Sequence, residues 1–147
     1  MYNSKNLFKG KSAIMKANKE LVLSYYENLW NQKDKSYIEK VFNDDIIFRG
    51  SLGTETKGKK EFEEYFDMTT NAISNLYHSI ESVLVDADQV AVRVVYNGTH
   101  SGNLLGFEPS NKRVRYHGAS FFKIENGKIK EVWVLGDLAT LYKQLKQ

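Results

Sequence analysis

Residues 76–101 read LYHSIESVLVDADQVAVRVVYNGTHS, and the reading of this stretch decides the fold. Two runs rich in Val, Ile and Tyr, 76–85 and 89–101, flank the turn-forming trio Asp86-Ala87-Asp88. β-Branched and aromatic side chains suit a pleated, half-buried surface, and a short polar junction between two such runs predicts a tight antiparallel hairpin. The pattern recurs downstream, where 112–124 and 129–136 meet at Glu125-Asn126-Gly127. Four long consecutive strands are therefore expected in the C-terminal half. Asp137 then opens a last helix with Leu138, Leu141, Tyr142 and Leu145 on one face.

Upstream the period changes from two to that of a helix. Leu21, Val22, Tyr25, Tyr26, Leu29 and Trp30 recur at helical spacing over 18–32, with Asn18 placed as an N-cap. That stripe is broad and aromatic, as suits a helix laid across a sheet. Asp34 is placed to cap a short helix over 35–42 that buries Ile38 and Phe42, and 46–48 reads as a brief strand. A third helix, 59–74, buries Phe62, Tyr65, Phe66, Thr69 and Ile73. Helices followed by strands make an α+β layer, with helices packed on a strongly curved antiparallel β-sheet forming a cone. The inside of such a cone is the place to look for function. Residues 1–16 show no sustained period, so 1–17 read as a flexible basic leader and 18–147 as a single domain.

Composition narrows the chemistry. A chain of 147 residues with 41% apolar side chains can build a full core without staples. Cys is absent, which excludes disulfides, a thiolate nucleophile and Cys-ligated zinc, and leaves the redox compartment unread. The net charge of +3 is a property of the leader: Lys5, Lys9, Lys11 and Lys16 stand there without an acid, which leaves the other 131 residues at −1. A body with no basic field gives no footing for nucleic acid. No apolar run approaches the ~18 residues of a membrane span, and Lys9 and Lys11 interrupt any secretory signal, so a cytoplasmic domain without a membrane partner is expected. Nucleotide, zinc-hydrolase and serine-hydrolase signatures are missing. His78, His100 and His117 stand on separate segments with no short ligand spacing, so neither a metal nor a cofactor is expected.

The most patterned stretch is 98–114, GTHSGNLLGFEPSNKRV. With Asn126-Gly127-Lys128-Ile129, Glu131-x-Trp133 and Gln144-Leu145 it forms an ordered set that resembles the SnoaL-like polyketide cyclase or ester cyclase family, over about residues 18–145. The resemblance implies the nuclear-transport-factor-2-like (cystatin-like) cone. It also implies ring closure by an intramolecular aldol step, with an acid/base Asp on the last strand and Asn, Gln and His assisting from neighbouring strands. Matched without gaps from His100 to Leu145, the Asp position falls at Val134 and the His and Gln positions at Ser120 and Gly118. The Asn position falls at Phe48. None of the four keeps a group able to do that job, so the resemblance implies the family cone without its acid/base set.

Other candidates carry bland readings beside sharp ones. Asp137 could stand in as the acid, but it directly precedes Leu138-Ala139-Thr140, where an N-cap belongs, and a capping carboxylate has a lowered pKa. His100 sits at a strand end beside glycines, either at a pocket mouth or in a surface turn. His78 faces the cavity with Ile80, as a ligand group or a satisfied core His. His117 alternates with Gly118 and Ser120 and so points outward. Ser120 reads as a small polar lining residue. Tyr25, Tyr96, Phe122 and Trp133 read as core packing, and Arg113 to His117 as a solvated strand face.

The expected function is a SnoaL-like small-molecule-binding protein. Its apolar pocket is drawn from Phe48, His78, Tyr96, His100, Gly118, Ser120, Phe122 and Val134, and its ligand is a small apolar molecule. One alternative is an enzyme of the cyclase, isomerase or hydratase type using His100 or His78. Another is a non-catalytic interaction protein, a homodimer through the outer sheet face with Arg93, Arg115, His117 and Lys123. What separates the two classes is whether the cone interior is open or filled by its aromatics: a cavity well below the ~300 Å³ of small-molecule sites would sink the binding reading.

Overall fold

The computed structural model describes residues 4–147, with side chains from residue 10 onward. Residues 1–3 of the expected leader lie outside the described residues. From Ser4 the backbone is helical, in α1 (Ser4–Ser24), so the helix starts well before the expected cap. Asn18 is instead a buried mid-helix residue whose Nδ2 donates to the Ala87 carbonyl at 3.0 Å, tying α1 to a distant turn. α1 runs on into a π-helical stretch, Tyr25–Asn31, where the Gln32 N–H donates to Glu27 five residues back at 3.0 Å. The wider turn turns Tyr25, Tyr26, Leu29 and Trp30 inward together.

Asp34 caps a turn rather than a helix, accepting from the Ser36 N–H and hydroxyl at 3.0 and 2.6 Å. α2 (Tyr37–Val41) ends one residue before the expected Phe42, which is already extended and opens β1 (Phe42–Arg49). A short β2 (Glu55–Lys57), not anticipated, pairs back on β1 before α3 (Gly58–Ala72). The four long strands are β3 (Ile73–Asp86), β4 (Gln89–His100), β5 (Arg113–Glu125) and β6 (Lys128–Gly136), and α4 (Leu138–Leu145) closes the chain.

The six strands form one sheet in the order β2-β1-β6-β5-β4-β3. It is not antiparallel throughout, because β1 pairs parallel to β6. β3 to β6 form a meander, and the free edge of its last strand is filled by β1 from the N-terminal half. Register shifts in β3, between Ser74 and Tyr77 and between Ile80 and Ser82, bend the edge strand and curl the sheet. The open edge of β3 is blunted by Asn31, whose side-chain amide accepts from the His78 N–H at 2.7 Å and donates to its carbonyl at 3.1 Å.

Alternation sets the faces. On β5, Val114, Tyr116, Gly118, Ser120, Phe122 and Ile124 point into the cone, while Arg115, His117, Phe121 and Lys123 point out. Val132 and Val134 point inward on β6, so Trp133 points outward, against Arg49 and Phe121, and is not the core residue expected of it. The Gln144 side chain bonds both the N–H and the carbonyl of Arg115 at 2.8 and 2.7 Å, pinning α4 to β5 beyond the end of β6. Among the described residues no helix is long and apolar enough to cross a membrane.

Candidate functional site

The helices deliver an aromatic layer to the inside of the cone and the strands deliver the opposite wall. Between them lies a small cavity lined by Tyr25 and Trp30 from the π-helical stretch, Phe48 from β1, Tyr65 and Thr69 from α3, and Ser51 from the loop after β1. Leu76, His78, Tyr96, Tyr116, Ser120 and Val134 complete it from the sheet. Its free volume is about 20 Å³, room for a water molecule and far below the ~300 Å³ of small-molecule sites. The cone interior is therefore mostly filled by its own aromatics. Tyr25 packs edge-on against Tyr26, Phe42 and Phe122 with ring centroids 4.9, 5.9 and 5.2 Å apart, and Trp30 lies 4.8 Å from Phe66.

His78 is the titratable group of this cavity. Its ring stands among Tyr26, Trp30 and Tyr96, with centroids 5.7, 5.0 and 4.9 Å away. Burial pushes its pKa down to about 3, helped by the nearby Lys33 charge, so the imidazole is neutral at physiological pH. Burial likewise raises the phenols of Tyr25, Tyr26, Tyr65, Tyr96 and Tyr116 above their ordinary range. Every group lining the cavity is thus uncharged at pH 7.

The lining is nonetheless rich in polar atoms. Ser51 and Tyr116 share a hydrogen bond at 2.8 Å. By contrast Trp30 Nε1, His78 Nδ1 and Ser120 Oγ, all in lining residues, and Tyr26 Oη beside them are buried without a hydrogen bond of normal length and angle. The Tyr25 phenol approaches Trp30, and the Tyr26 and Tyr96 phenols approach Ser120. Buried polar atoms are nearly always paired, and an unpaired one costs about 1–3 kcal/mol. A cavity of about 20 Å³ among these atoms has room for one water as a partner. Among the described residues no His, Asp and Glu side chains converge as metal ligands.

Of the eight pocket residues expected from the sequence, Phe48, His78, Tyr96, Ser120 and Val134 meet at this cavity. Gly118 stands behind the Tyr96 ring, close enough that a Cβ there would come within 2.6 Å of it. Phe122 packs into the aromatic layer against Tyr25 and Tyr26. His100 lies elsewhere, fully buried at the end of β4. Its Nε2 faces the Phe107 carbonyl at 3.2 Å and so carries the proton, leaving Nδ1 to accept from Ser110, whose Oγ is 3.0 Å away. This His braces the 101–112 loop and is neither exposed in a turn nor part of the cavity wall. Asp137 is exposed and caps α4, accepting from the Thr140 N–H and hydroxyl at 3.1 and 2.6 Å, bonds that hold its carboxyl below the usual range.

The sequence reading missed Trp30, Ser51, Tyr65, Thr69, Leu76 and Tyr116 as lining residues, and read Tyr25 as core packing where it also lines the cavity. One signal was available, since Tyr116 alternates with Gly118 and Ser120 on β5 and must share their face.

Comparison with solved structures places the fold. A candidate SnoaL-like polyketide cyclase from Jannaschia sp. CCS1 superposes with a TM-score of 0.83 at 20% identity, over 90% of this chain and 93% of that one. AclR, a candidate hydroxylase from Streptomyces galilaeus, gives 0.78 at 26% identity over 90% and 86% of the two chains. A SnoaL-like polyketide cyclase from Agrobacterium tumefaciens C58 gives 0.74 at 20% identity over 87% and 97%. No curated protein matches the chain. The sequence model of the SnoaL-like polyketide cyclases matches residues 20–145, nearly all of the cone just described, and the chain belongs to that family.

Proposed function

We propose that this protein binds a small molecule inside the cone and does not run the proton-transfer chemistry of a ring-closing cyclase. The observation that carries the reading is the gathering of Trp30 Nε1, His78 Nδ1 and Ser120 Oγ in the lining of one cavity with Tyr26 Oη beside it, four buried polar atoms without a hydrogen bond of normal geometry within the protein. A neutral guest with hydroxyl or carbonyl oxygens would pair with them. The lining holds no carboxylate, and an imidazole with a pKa near 3 is a feeble base at pH 7. The closed cavity of about 20 Å³ fails the size expected of a ligand site and weighs for the interaction reading, so binding stands only with part of the wall giving way.

Native mass spectrometry of freshly purified protein tests this, together with a titration of 2-naphthol, a neutral hydroxylated aromatic. The expected results are a discrete adduct that leaves on collisional activation, and saturable naphthol binding. Each hydrogen bond is worth about 1 kcal/mol, so the His78→Phe, Ser120→Ala double variant should bind naphthol about tenfold or more weakly. No adduct together with no saturable naphthol binding would refute the reading.

The outer sheet face supports a second, compatible reading, assembly with another copy of this chain. Leu84, Ala91, Phe121 and Trp133 form one cross-strand row, and Leu84, Phe121 and the neighbouring Leu135 are each more than half exposed. Arg93, Arg115, His117, Lys123 and Glu131 on that side supply charges of both signs around it. A patch that is self-complementary in this way suits a two-fold dimer.

A further inference from the structure

Tyr65 stands between two spaces. Its ring closes the inner cavity beside Trp30 and Phe48, with centroids 6.4 and 5.0 Å away, and it also bounds an outer groove of about 320 Å³ formed with Thr54, Thr56, Glu61, Glu64 and Met68. We propose that cavity and groove are the two halves of one binding site for an elongated neutral molecule, with Tyr65 as its movable partition. This rests on the reading of the cone as a ligand site.

Three observations carry it. The inner space alone, about 20 Å³, holds a water, whereas the outer groove of about 320 Å³ across Tyr65 already has the size of a small-molecule site. Polar atoms without a hydrogen bond of normal geometry lie on both sides of the partition: Trp30 Nε1, His78 Nδ1 and Ser120 Oγ within, and the buried Oγ1 of Thr56, a residue that lines the groove. Finally, the phenol rests on a bare glycine. A Cβ on Gly50 would stand 2.1 Å from Tyr65 Oη, so the closed position of the ring depends on there being no side chain at residue 50. Gly50 has no positive φ, so an added methyl would displace the ring without straining the backbone.

The charges set the ligand class. The inner lining is uncharged, and the carboxylates of Glu61 and Glu64 flank the outer groove. An anion would be repelled by the two carboxylates at the mouth and would find no cation in the inner lining. The cation set against those carboxylates is Arg49, which donates to the Val134 carbonyl and is close enough to Tyr65 to oppose the rise in its pKa that burial causes. A neutral molecule with a hydrogen-bonding oxygen at its inner end meets no such penalty.

The test uses the full chain carrying Trp133→Phe, which leaves Trp30 in the cone as the only tryptophan. 2-Naphthol and the anion 2-naphthoate are titrated against it, reading quenching of Trp30. A partition closed at least nine-tenths of the time reduces apparent affinity at least tenfold. Gly50→Ala, which pushes the phenol out, and Tyr65→Ala, which removes it, should therefore each tighten naphthol binding by about tenfold or more. Gly118→Ala crowds Tyr96 on another wall and should not tighten it, and 2-naphthoate should bind at least tenfold more weakly than 2-naphthol throughout. If the parent binds naphthol and neither partition variant changes the affinity, the partition is refuted while the cone remains a site. Equal tightening by Gly118→Ala would show general loosening and refute it as well. If no variant binds naphthol, partition and cone site fall together.

Discussion

Lowering the pH from 7 to 5 should destabilise the fold by about 2 kcal/mol through His78 alone. In the unfolded chain this imidazole has its ordinary pKa of 6.5, whereas burial in the cone holds it at about 3. A group with a folded-state pKa below its unfolded value lets the unfolded chain take up a proton that the folded chain refuses. Above pH 6.5 both states are neutral and nothing is lost. As pH falls from about 6.5 towards 3 the unfolded state gains about 1.4 kcal/mol per unit, which makes about 2 kcal/mol at pH 5. The charged group nearest the ring is Lys33, which opposes protonation, and Tyr26 and Tyr96 stay neutral across this range, so no neighbour reverses the sign. The assay is urea unfolding at pH 7, 6 and 5 for the parent and for His78→Phe, which keeps a ring among Tyr26, Trp30 and Tyr96 but cannot titrate. The other titrating groups are common to both proteins, so the difference between their pH profiles isolates His78. The parent should lose about 2 kcal/mol more than the variant, roughly a 1 M difference in the shift of the midpoint. Parallel profiles would mean that the imidazole is solvated or paired in the folded state, and the neutral, unpartnered His78 would have to be abandoned.

Three further perturbations separate the remaining residues by role. His100→Ala should destabilise the fold by about 2–4 kcal/mol and open the 101–112 loop to proteolysis, while 2-naphthol affinity stays unchanged; a loss of binding without a loss of stability would place His100 in the site after all. Asp137→Ala should lower the melting temperature by a few degrees and leave ligand affinity alone, since it removes a helix cap on the outside of the cone. Phe121→Asp with Leu135→Asp should convert a dimer to a monomer in analytical ultracentrifugation, and a protein that sediments as a monomer before the change would remove the second reading.

The meander was legible because its signals are local. Asp86-Ala87-Asp88 and Glu125-Asn126-Gly127 are turns whatever surrounds them, and period-two alternation put Ser120 and His117 on opposite faces, the resemblance supplying which of them is inward. The neighbour of β6 was not legible. β1 is separated from it in sequence by α3 and the rest of the meander, and no residue of 42–49 signals a parallel partner so far along the chain. The helix start failed for a related reason, because Asn18 looks like a cap until its side chain is seen to bond Ala87, 69 residues away. For the cavity, the strand residues were within reach because alternation assigns their faces. Trp30 and Tyr65 were not, since a helical stripe reads as core whether or not a cavity lies beneath it, and a π-helical turn leaves no mark in the sequence.

The positions at which the resemblance puts the cyclase machinery do not scatter in the fold. Phe48, Ser120 and Val134 all line the cavity, and Gly118 lies directly behind Tyr96, so on the matching that the resemblance implies the chain would keep the place of the family's chemistry while changing the groups that occupy it. Val134, where the acid/base Asp is expected, adds only apolar wall, and Phe48 only a ring against Phe62 and Tyr65. The polar groups come from new quarters: the indole of Trp30 and the phenols of Tyr25 and Tyr26 from the π-helical stretch, Tyr65 and Thr69 from α3, and His78 from the edge strand. Replacing one ionisable carboxylate by a ring of neutral donors trades a group that moves protons for several that hold an oxygen in place. Selectivity would then be set where the helices face the sheet, and substitutions at Trp30, Tyr65 or His78 should change which molecules bind far more than substitutions on β6.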